Sequence, residues 1–356
     1  MTIKKITVWR ENLDLTRPYT IAYKTVSTVE NAFVRIDLAN GLYGVGACNP
    51  SKPVVGESLE DAYILLSAPE TTEWLVGRDI RTTQGLCYEA QRRFPQSAGT
   101  RAALEIALHD AFARCLDLPL VDVLGRKIKE LPTSITIGIK GVQETLDEAQ
   151  EYVERKFTVL KVKTGVSLEE DIERLTRLRE RYGNAITIRI DSNQGYTAQQ
   201  MIEFFRRTQS LNIELNEQPL PASDEVGVRS LPDEIRTTIA ADEALVSPAD
   251  ALRLVHAPRA CGIFNIKLMK CGGISKALDI ARVAELADMS LMWGCNDESI
   301  VSIAAALHAA FASAQTKYID LDGSLDLARD AVVGGFILEN GMMRPLDAPG
   351  LGVELL

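Results

Sequence analysis

What this 356-residue sequence lacks narrows it before any motif is considered. Its three histidines and six cysteines include no CxxC pair and no histidine at zinc-ligand spacing. Neither a zinc site nor a disulfide framework is expected, and reduced thiols in a cytoplasmic protein fit better. A basic surplus is missing: 39 Lys and Arg stand against 49 Asp and Glu, a net charge of -10. No cationic surface is available to displace the counterions of a phosphate backbone, which excludes nucleic acid as a partner. Long apolar runs are absent as well. The longest, "SIVSIAAALHAAFASA" at 299–314, falls short of the roughly 20 residues a membrane span needs and reads as a buried, alanine-rich helix. The N-terminus, "MTIKKITVWRENL", alternates polar and apolar residues without a continuous apolar stretch, so no ordinary secretory signal is expected. With 46% hydrophobic and 25% charged residues and no low-complexity tract, disorder is set aside too. What remains is a globular protein with a small-molecule partner, built as two domains or as one barrel with an attachment. A homo-oligomer is compatible with this composition.

Residues 3–46 alternate as a half-buried antiparallel sheet does: "KITVWREN", "NAFVRIDLANG" and "LYGVGA", with "ANG" supplying the turn between the last two. From about 57 to 125 the apolar residues recur at three and four, notably in "SAGTRAALEIALHDAFARCLDLP", which predicts helices. After Pro132, short β-rich runs alternate with helical segments. Eight runs are counted, from "TSITIGI" through "TVLKVKTG", "AITIRIDSN", "IELNEQP", "TTIAADEA", "GIFNIKLMK" and "LMWGCND" to "KYIDLDG". Successive βα units of this length predict an α/β barrel of the TIM class, with seven βα units and a closing strand. The final segment, "SLDLARDAVVGGFILENGMMRPLDAPGLGVELL", reads as irregular chain plus a hairpin returning to the N-terminal unit. Boundaries are expected at 1–128, 129–323 and 324–356.

Charged residues fall near the C-terminal ends of these strands: Lys161 and Lys163, Asp191, Glu217, Asp242, Lys267, then Asp320 and Asp322. The spacings of 28, 26, 25 and 25 from Lys163 to Lys267 are one βα unit each, which converges these residues on one mouth of the barrel. Period-2 geometry aims Lys161 and Lys163 to the same side. Three carboxylates with no histidine or cysteine form a hard-oxygen site suited to Mg²⁺, with Mn²⁺ as a substitute. The plain alternative is three acids capping the helices that follow. Two ammonium groups side by side are expected to lower each other's pKa, making Lys163 a general base, with Lys267 facing the same substrate from across the barrel. Rim lysines that snorkel are the ordinary explanation of such a pair. The three histidines fall in predicted helices, away from strand ends, and read as structural.

The set "KVK", "DSNQG", "NEQP", "ADE" and "IKLMKCGG" resembles the enolase superfamily, muconate-lactonising subgroup, over nearly the whole chain. That resemblance implies a modified TIM barrel, (β/α)7β, with an N-terminal α+β capping domain completed by the C-terminal tail. It also implies Asp191, Glu217 and Asp242 as Mg²⁺ ligands, Lys163 and Lys267 as opposed acid/base groups, and Lys161 as the stabiliser of an enediolate. "YIDLDG" is similar to the DxD motif of dipeptide epimerases, in which two carboxylates clamp a substrate's terminal ammonium. The expected activity is inversion of the C-terminal residue of a dipeptide. Cycloisomerase, o-succinylbenzoate synthase and N-acylamino acid racemase chemistry are the alternatives within the superfamily, and a Schiff-base lysine is one outside it.

Substrate contacts are expected from Asp320, Asp322, Thr136, Tyr19 and Lys24, and from Asn296, Asp297 and Glu298 in "GCNDES". Tyr23 lies in the same stretch, "RPYTIAYKTVS", which with "NPSKPVVGE" forms the cap's candidate specificity loops. Lys24 would pair with an acidic side chain, as in Ala-Glu epimerases, or face solvent. The sequence departs from the family in "YGVGACNP", where Ala47 and Cys48 replace the usual acid after GxG.

Overall fold

The computed structural model describes residues 1–16 and 28–356, together with the backbone of two short paired strands, Tyr19–Ile21 and Lys24–Val26. The side chains of Tyr19, Tyr23 and Lys24 lie outside the described residues.

Strand Ile3–Asn12 pairs antiparallel with Glu30–Leu38, which pairs in turn with Tyr43–Cys48, giving the three expected strands of the cap. This sheet lies against the helix Ala98–Cys115, whose residues are buried on almost every side. Two glycines set the approach. A Cβ at Gly46 would lie 1.9 Å from the Ala103 carbonyl oxygen, and one at Gly44 would lie 2.3 Å from that of Ala107. The "GVG" of the third strand and the alanines of the helix are therefore one packing feature, in which backbone meets backbone. On its other side the helix meets the barrel, where Glu105 Oε2 accepts the Ser275 N–H, 2.9 Å away, at the start of helix Ile274–Leu286.

Eight strands form one sheet in sequential order, and every described pairing within it is parallel. A bridge between Thr133 and Ile319 brings the first and last strands together. Seven connections carry helices, from Val142–Glu154 to Ile300–Phe311. Side-chain caps mark many of their starts: Ser167 accepts from Glu170, Thr197 makes a capping box with Gln200, and Ser247 precedes Pro248. Within the barrel, Leu215, Ala240, Ile263 and Met292 form a small separate core that Tyr318 packs against. Among the described residues no helix is long and apolar enough to cross a membrane.

After the last strand, Phe336–Glu339 and Met342–Pro345 form a hairpin that adds Leu131–Pro132, while Val332–Gly334 pairs with Val353–Leu355. The tail also reaches the cap. Leu351 N–H donates to the fully buried Asp110 (2.8 Å), and Glu354 takes the Tyr43 hydroxyl (2.7 Å) and pairs with Arg114.

Candidate active site

The strand ends place the charges as the spacing requires. Lys163 and Asp191 are register partners on adjacent strands, as are Asp191 and Glu217, and Asp242 directly follows the next strand, Ile239–Ala241. Glu217 thus stands between two other carboxylates. Its Oε1 accepts from Asn265 Nδ2 at 2.8 Å, while its buried Oε2 has no hydrogen-bond partner among the described residues, with the Lys161 ammonium 3.6 Å off. Burial, and then the charge of Asp191, push the Glu217 carboxyl up to about 8. An orphaned carboxylate oxygen amid surplus negative charge, in an all-oxygen donor set, fits a hard divalent cation.

Lysines flank this group on both sides. Lys163 Nζ lies 2.5 Å from Asp191 Oδ2 and 2.9 Å from Asn193 Oδ1, while Lys267 Nζ lies 2.8 Å from Asp242 Oδ2. Lys161 pairs with Asp320. The ionisation of Lys161 differs from the sequence-based expectation of a pKa lowered by a neighbouring lysine. Burial disfavours the charged forms of Lys161 and Lys267, yet Asp320 and Glu217 raise the first well above its ordinary value, and Asp242 and Glu217 raise the second. Each ammonium faces carboxylates, and their attraction outweighs repulsion between the lysines.

Lys161, Lys163, Asp242, Lys267 and Asp320 line a cavity of about 570 Å³ at the C-terminal ends of the strands, walled on the cap side by Asn49–Ser51, Val54 and Val55, with Asp191 and Glu217 set behind its wall. Thr136 lines it, and its backbone N–H donates to Asp322 Oδ2 at 2.8 Å. Asp320 is more deeply held, with Ser134 Oγ donating to its Oδ1 at 2.5 Å. Burial and the neighbouring Asp320 push Asp322 up to about 6. Asn296 and Asp297 are on the wall, and this loop is tied to the cap: Asn296 Nδ2 donates to the Asn49 carbonyl (2.9 Å) and Asn49 Nδ2 to that of Asp297 (2.8 Å). Glu298 stands behind the loop rather than on the cavity wall, accepting the Asn296 N–H at 2.7 Å. Its burial drives the carboxyl up to about 8.

Several residues at the site were not singled out from sequence. Lys270 donates to the Asp242 carboxylate and backbone carbonyl and to the Asn265 carbonyl (3.0 Å). Burial opposes ionisation of Asp242, but Lys267 and Lys270 hold it well below the carboxylate range. Asn265, two residues before Lys267, shares its inward parity and was legible on that ground. Glu243, whose buried Oε2 has no hydrogen-bond partner among the described residues, also faces the cavity. Away from the mouth, Cys87, Glu105 and His109 cluster in the cap. Glu105 is engaged by Gln91 and Ser275, and His109 Nδ1 by the Glu105 carbonyl, so this is packing and capping.

A (β/α)7β barrel whose mouth sets three strand-end carboxylates between opposed lysines defines the enolase class of proteins. Residues 3–125 match the mandelate racemase / muconate lactonizing enzyme N-terminal domain, and residues 144–356 match the enolase C-terminal domain-like family. The chain belongs to the mandelate racemase / muconate lactonizing enzyme family of the enolase superfamily. It is 55% identical to an L-Lys-D/L-Arg epimerase of Desulforapulum autotrophicum, over 99% of both chains. A crystal structure of the dipeptide epimerase from Methylococcus capsulatus, complexed with Mg and L-Arg-D-Lys, superposes with a TM-score of 0.97 at 52% identity, covering 99% of each chain. An L-Ala-D/L-Glu epimerase of Clostridium acetobutylicum is 34% identical over 99% of both chains.

Proposed function

We propose that this protein is a Mg²⁺-dependent dipeptide epimerase that inverts the α-carbon of the C-terminal residue by two-base proton transfer. The observation that carries this reading is the placement of Lys163 and Lys267 on either side of Glu217, each tied to the carboxylate next to it. One lysine takes the α-proton and the other returns a proton to the opposite face. Lys161 supplies positive charge where negative charge grows on the substrate's carboxylate. Asp191, Glu217 and Asp242 would hold Mg²⁺. When bound, the cation supplies positive charge that offsets these carboxylates and favours ionisation at the substrate α-carbon. Asp320 and Asp322 present negative charge for the dipeptide's terminal ammonium.

The substrate side chains are cationic in this reading. Beyond the DxD pair, the cavity wall carries Glu144, Glu243, Asp297 and Asp326, besides Glu148 paired with Lys140, an acidic lining that attracts Lys and Arg side chains and repels acidic ones. The two epimerases above with 55% and 52% identity point the same way, both named or complexed with Lys- and Arg-containing dipeptides. The six free cysteines support a reducing, cytoplasmic setting.

The test is a dipeptide library incubated in D₂O with Mg²⁺ and read by mass spectrometry for deuterium at the α-carbon. Dipeptides of Lys and Arg are expected to label fastest and Ala-Glu slowly. A folded, Mg²⁺-loaded protein that labels no dipeptide overturns the reading.

A further inference from the structure

A buried ion pair lies behind Lys163, unused by the chemistry above. Asp171 and Arg174 stand one turn apart near the start of helix Leu168–Tyr182, are 1% and 2% exposed, and pair with each other. Arg174 Nη2 donates to the backbone carbonyl of Lys163 at 3.0 Å. Asp171 Oδ2 accepts the backbone N–H of Gly165 at 2.9 Å and the hydroxyl of Tyr196 at 2.7 Å. The pair therefore grips both ends of the tripeptide Lys163–Thr164–Gly165.

Stability alone is a weak reason for such a pair. Desolvating two ions is costly, and apolar residues of similar volume commonly stabilise as well. Arg174 Nη1 is moreover buried without a hydrogen-bond partner among the described residues. The local need is geometric. Where the strand ends and the chain turns away, the Lys163 carbonyl and the Gly165 N–H need partners outside the ladder.

The next strand's loop locks the same segment from the other side. Gly165 has φ +101°, and a Cβ there would lie 2.4 Å from the Ser192 carbonyl oxygen, while one at Gly195 would lie 2.2 Å from that of Gly165. Tyr196, immediately after Gly195, spans the two loops to reach Asp171. Lys267 is held by different means. It is the N-cap of the one-turn helix Leu268–Cys271, and its carbonyl accepts the N–H groups of Lys270 (3.0 Å) and Cys271 (3.2 Å). The two bases therefore have independent supports.

We propose that the Asp171–Arg174 pair, with Tyr196, is a positioning device for Lys163 alone, fixing the direction from which its Nζ meets one face of the substrate. The inference rests on the two-base reading and names the support of one of its two halves.

Because each base serves one epimer, the experiment carries an internal control. Wild type, Arg174→Met, Arg174→Lys and Tyr196→Phe are each incubated with the separate epimers of an Arg- or Lys-containing dipeptide in D₂O. Proton NMR gives inversion and α-hydrogen exchange for each, and Lys163→Ala identifies the epimer whose exchange depends on Lys163. In Arg174→Met, inversion and exchange of that epimer are expected to fall roughly 10- to 100-fold, the scale of a small misplacement of a reacting group. Exchange of the other epimer stays within about twofold of wild type, since its base is untouched. Arg174→Lys restores part of the loss, and Tyr196→Phe shows the same asymmetry more weakly. Equal loss for both epimers, or no loss, overturns the proposal. Should Arg174→Met fail to fold, the asymmetry in Arg174→Lys and Tyr196→Phe decides it. A wild-type enzyme that exchanges neither epimer of any dipeptide defeats the function first and this inference with it.

Discussion

Lys163 and Lys267 hold the two carboxylates that flank Glu217, the first reaching Asp191 Oδ2 at 2.5 Å and the second Asp242 Oδ2 at 2.8 Å. In the proposed reaction a substrate carboxylate brought to that centre would have one lysine on each side of its α-carbon. Replacing either lysine by alanine is expected to lower kcat for inversion by about 10²- to 10⁴-fold, the usual contribution of a positioned acid or base. Each variant should retain solvent exchange at the α-carbon of one epimer, and the two variants should retain it for opposite epimers. Inversion at the wild-type rate in either, followed by circular dichroism or chiral chromatography, ends the two-base scheme.

Glu217 carries an oxygen with no hydrogen-bond partner among the described residues and stands between two other strand-end carboxylates, which ties its role to cation binding. Chelation with EDTA should abolish epimerisation and added Mg²⁺ restore it. Binding linked to folding stabilises by about 2.7 kcal/mol when the free metal is a hundredfold above its Kd. Wild type should therefore show a Mg²⁺-dependent rise in melting temperature, and Glu217→Gln should lose most of it. An unchanged Mg²⁺ response in Glu217→Gln would falsify the assignment, whatever happens to activity.

His308 makes a prediction about pH that is independent of the site. It is fully buried, its Nδ1 accepts the Val121 N–H at 2.8 Å, and burial lowers its pKa to about 3. Above its unfolded value near 6.5 both states are neutral and its contribution to stability is complete. As the pH falls from 6.5 toward 3, only the unfolded chain takes the proton, so stability drops by about 1.4 kcal/mol per pH unit. Burial-raised acids such as Glu298 act in the opposite sense, so the clean measurement is a difference. Asn at 308 keeps an acceptor and cannot be protonated. The stability advantage of wild type over His308→Asn, measured by denaturant unfolding, should shrink between pH 7 and pH 5. Parallel curves would show that His308 is protonated within the fold.

The barrel was legible because its signal is periodic. Lysines at 161 and 163 share a face by strand parity, and one βα unit separates each charge from the next, so the mouth could be assembled without coordinates. Residues that act from outside that periodicity were not legible. Lys270 reaches back to Asp242 from a one-turn helix, a direction that strand parity does not describe. Asp171 and Arg174 sit in "LEEDIERLTRLRERYG", where a run of charges reads as a solvated helix face, and only the tertiary packing shows two of them buried. The ionisation of Lys161 was misjudged for a related reason. Its neighbour in sequence is Lys163, whereas its neighbours in space are Asp320 and Glu217, carboxylates of other strands.

The two acids of "DLD" differ in what remains for a ligand. Asp320 spends Oδ1 on Ser134 and Oδ2 on Lys161, whereas Asp322 spends Oδ2 on the Thr136 N–H, and no described residue donates to its Oδ1. Asp322 also lines the cavity. An ammonium arriving there gains a charge-assisted hydrogen bond, and loss of such a bond costs about 1.5–3 kcal/mol. Asp322→Asn is accordingly expected to raise KM for dipeptides with a free N-terminus by roughly 10- to 100-fold, with a smaller effect on kcat. A desamino analogue, in which hydrogen replaces the ammonium, has no such contact to lose. Wild type and Asp322→Asn should process that analogue with similar kcat/KM. Equal penalties for the two substrates would mean that Asp322 shapes the loop and does not read the amine.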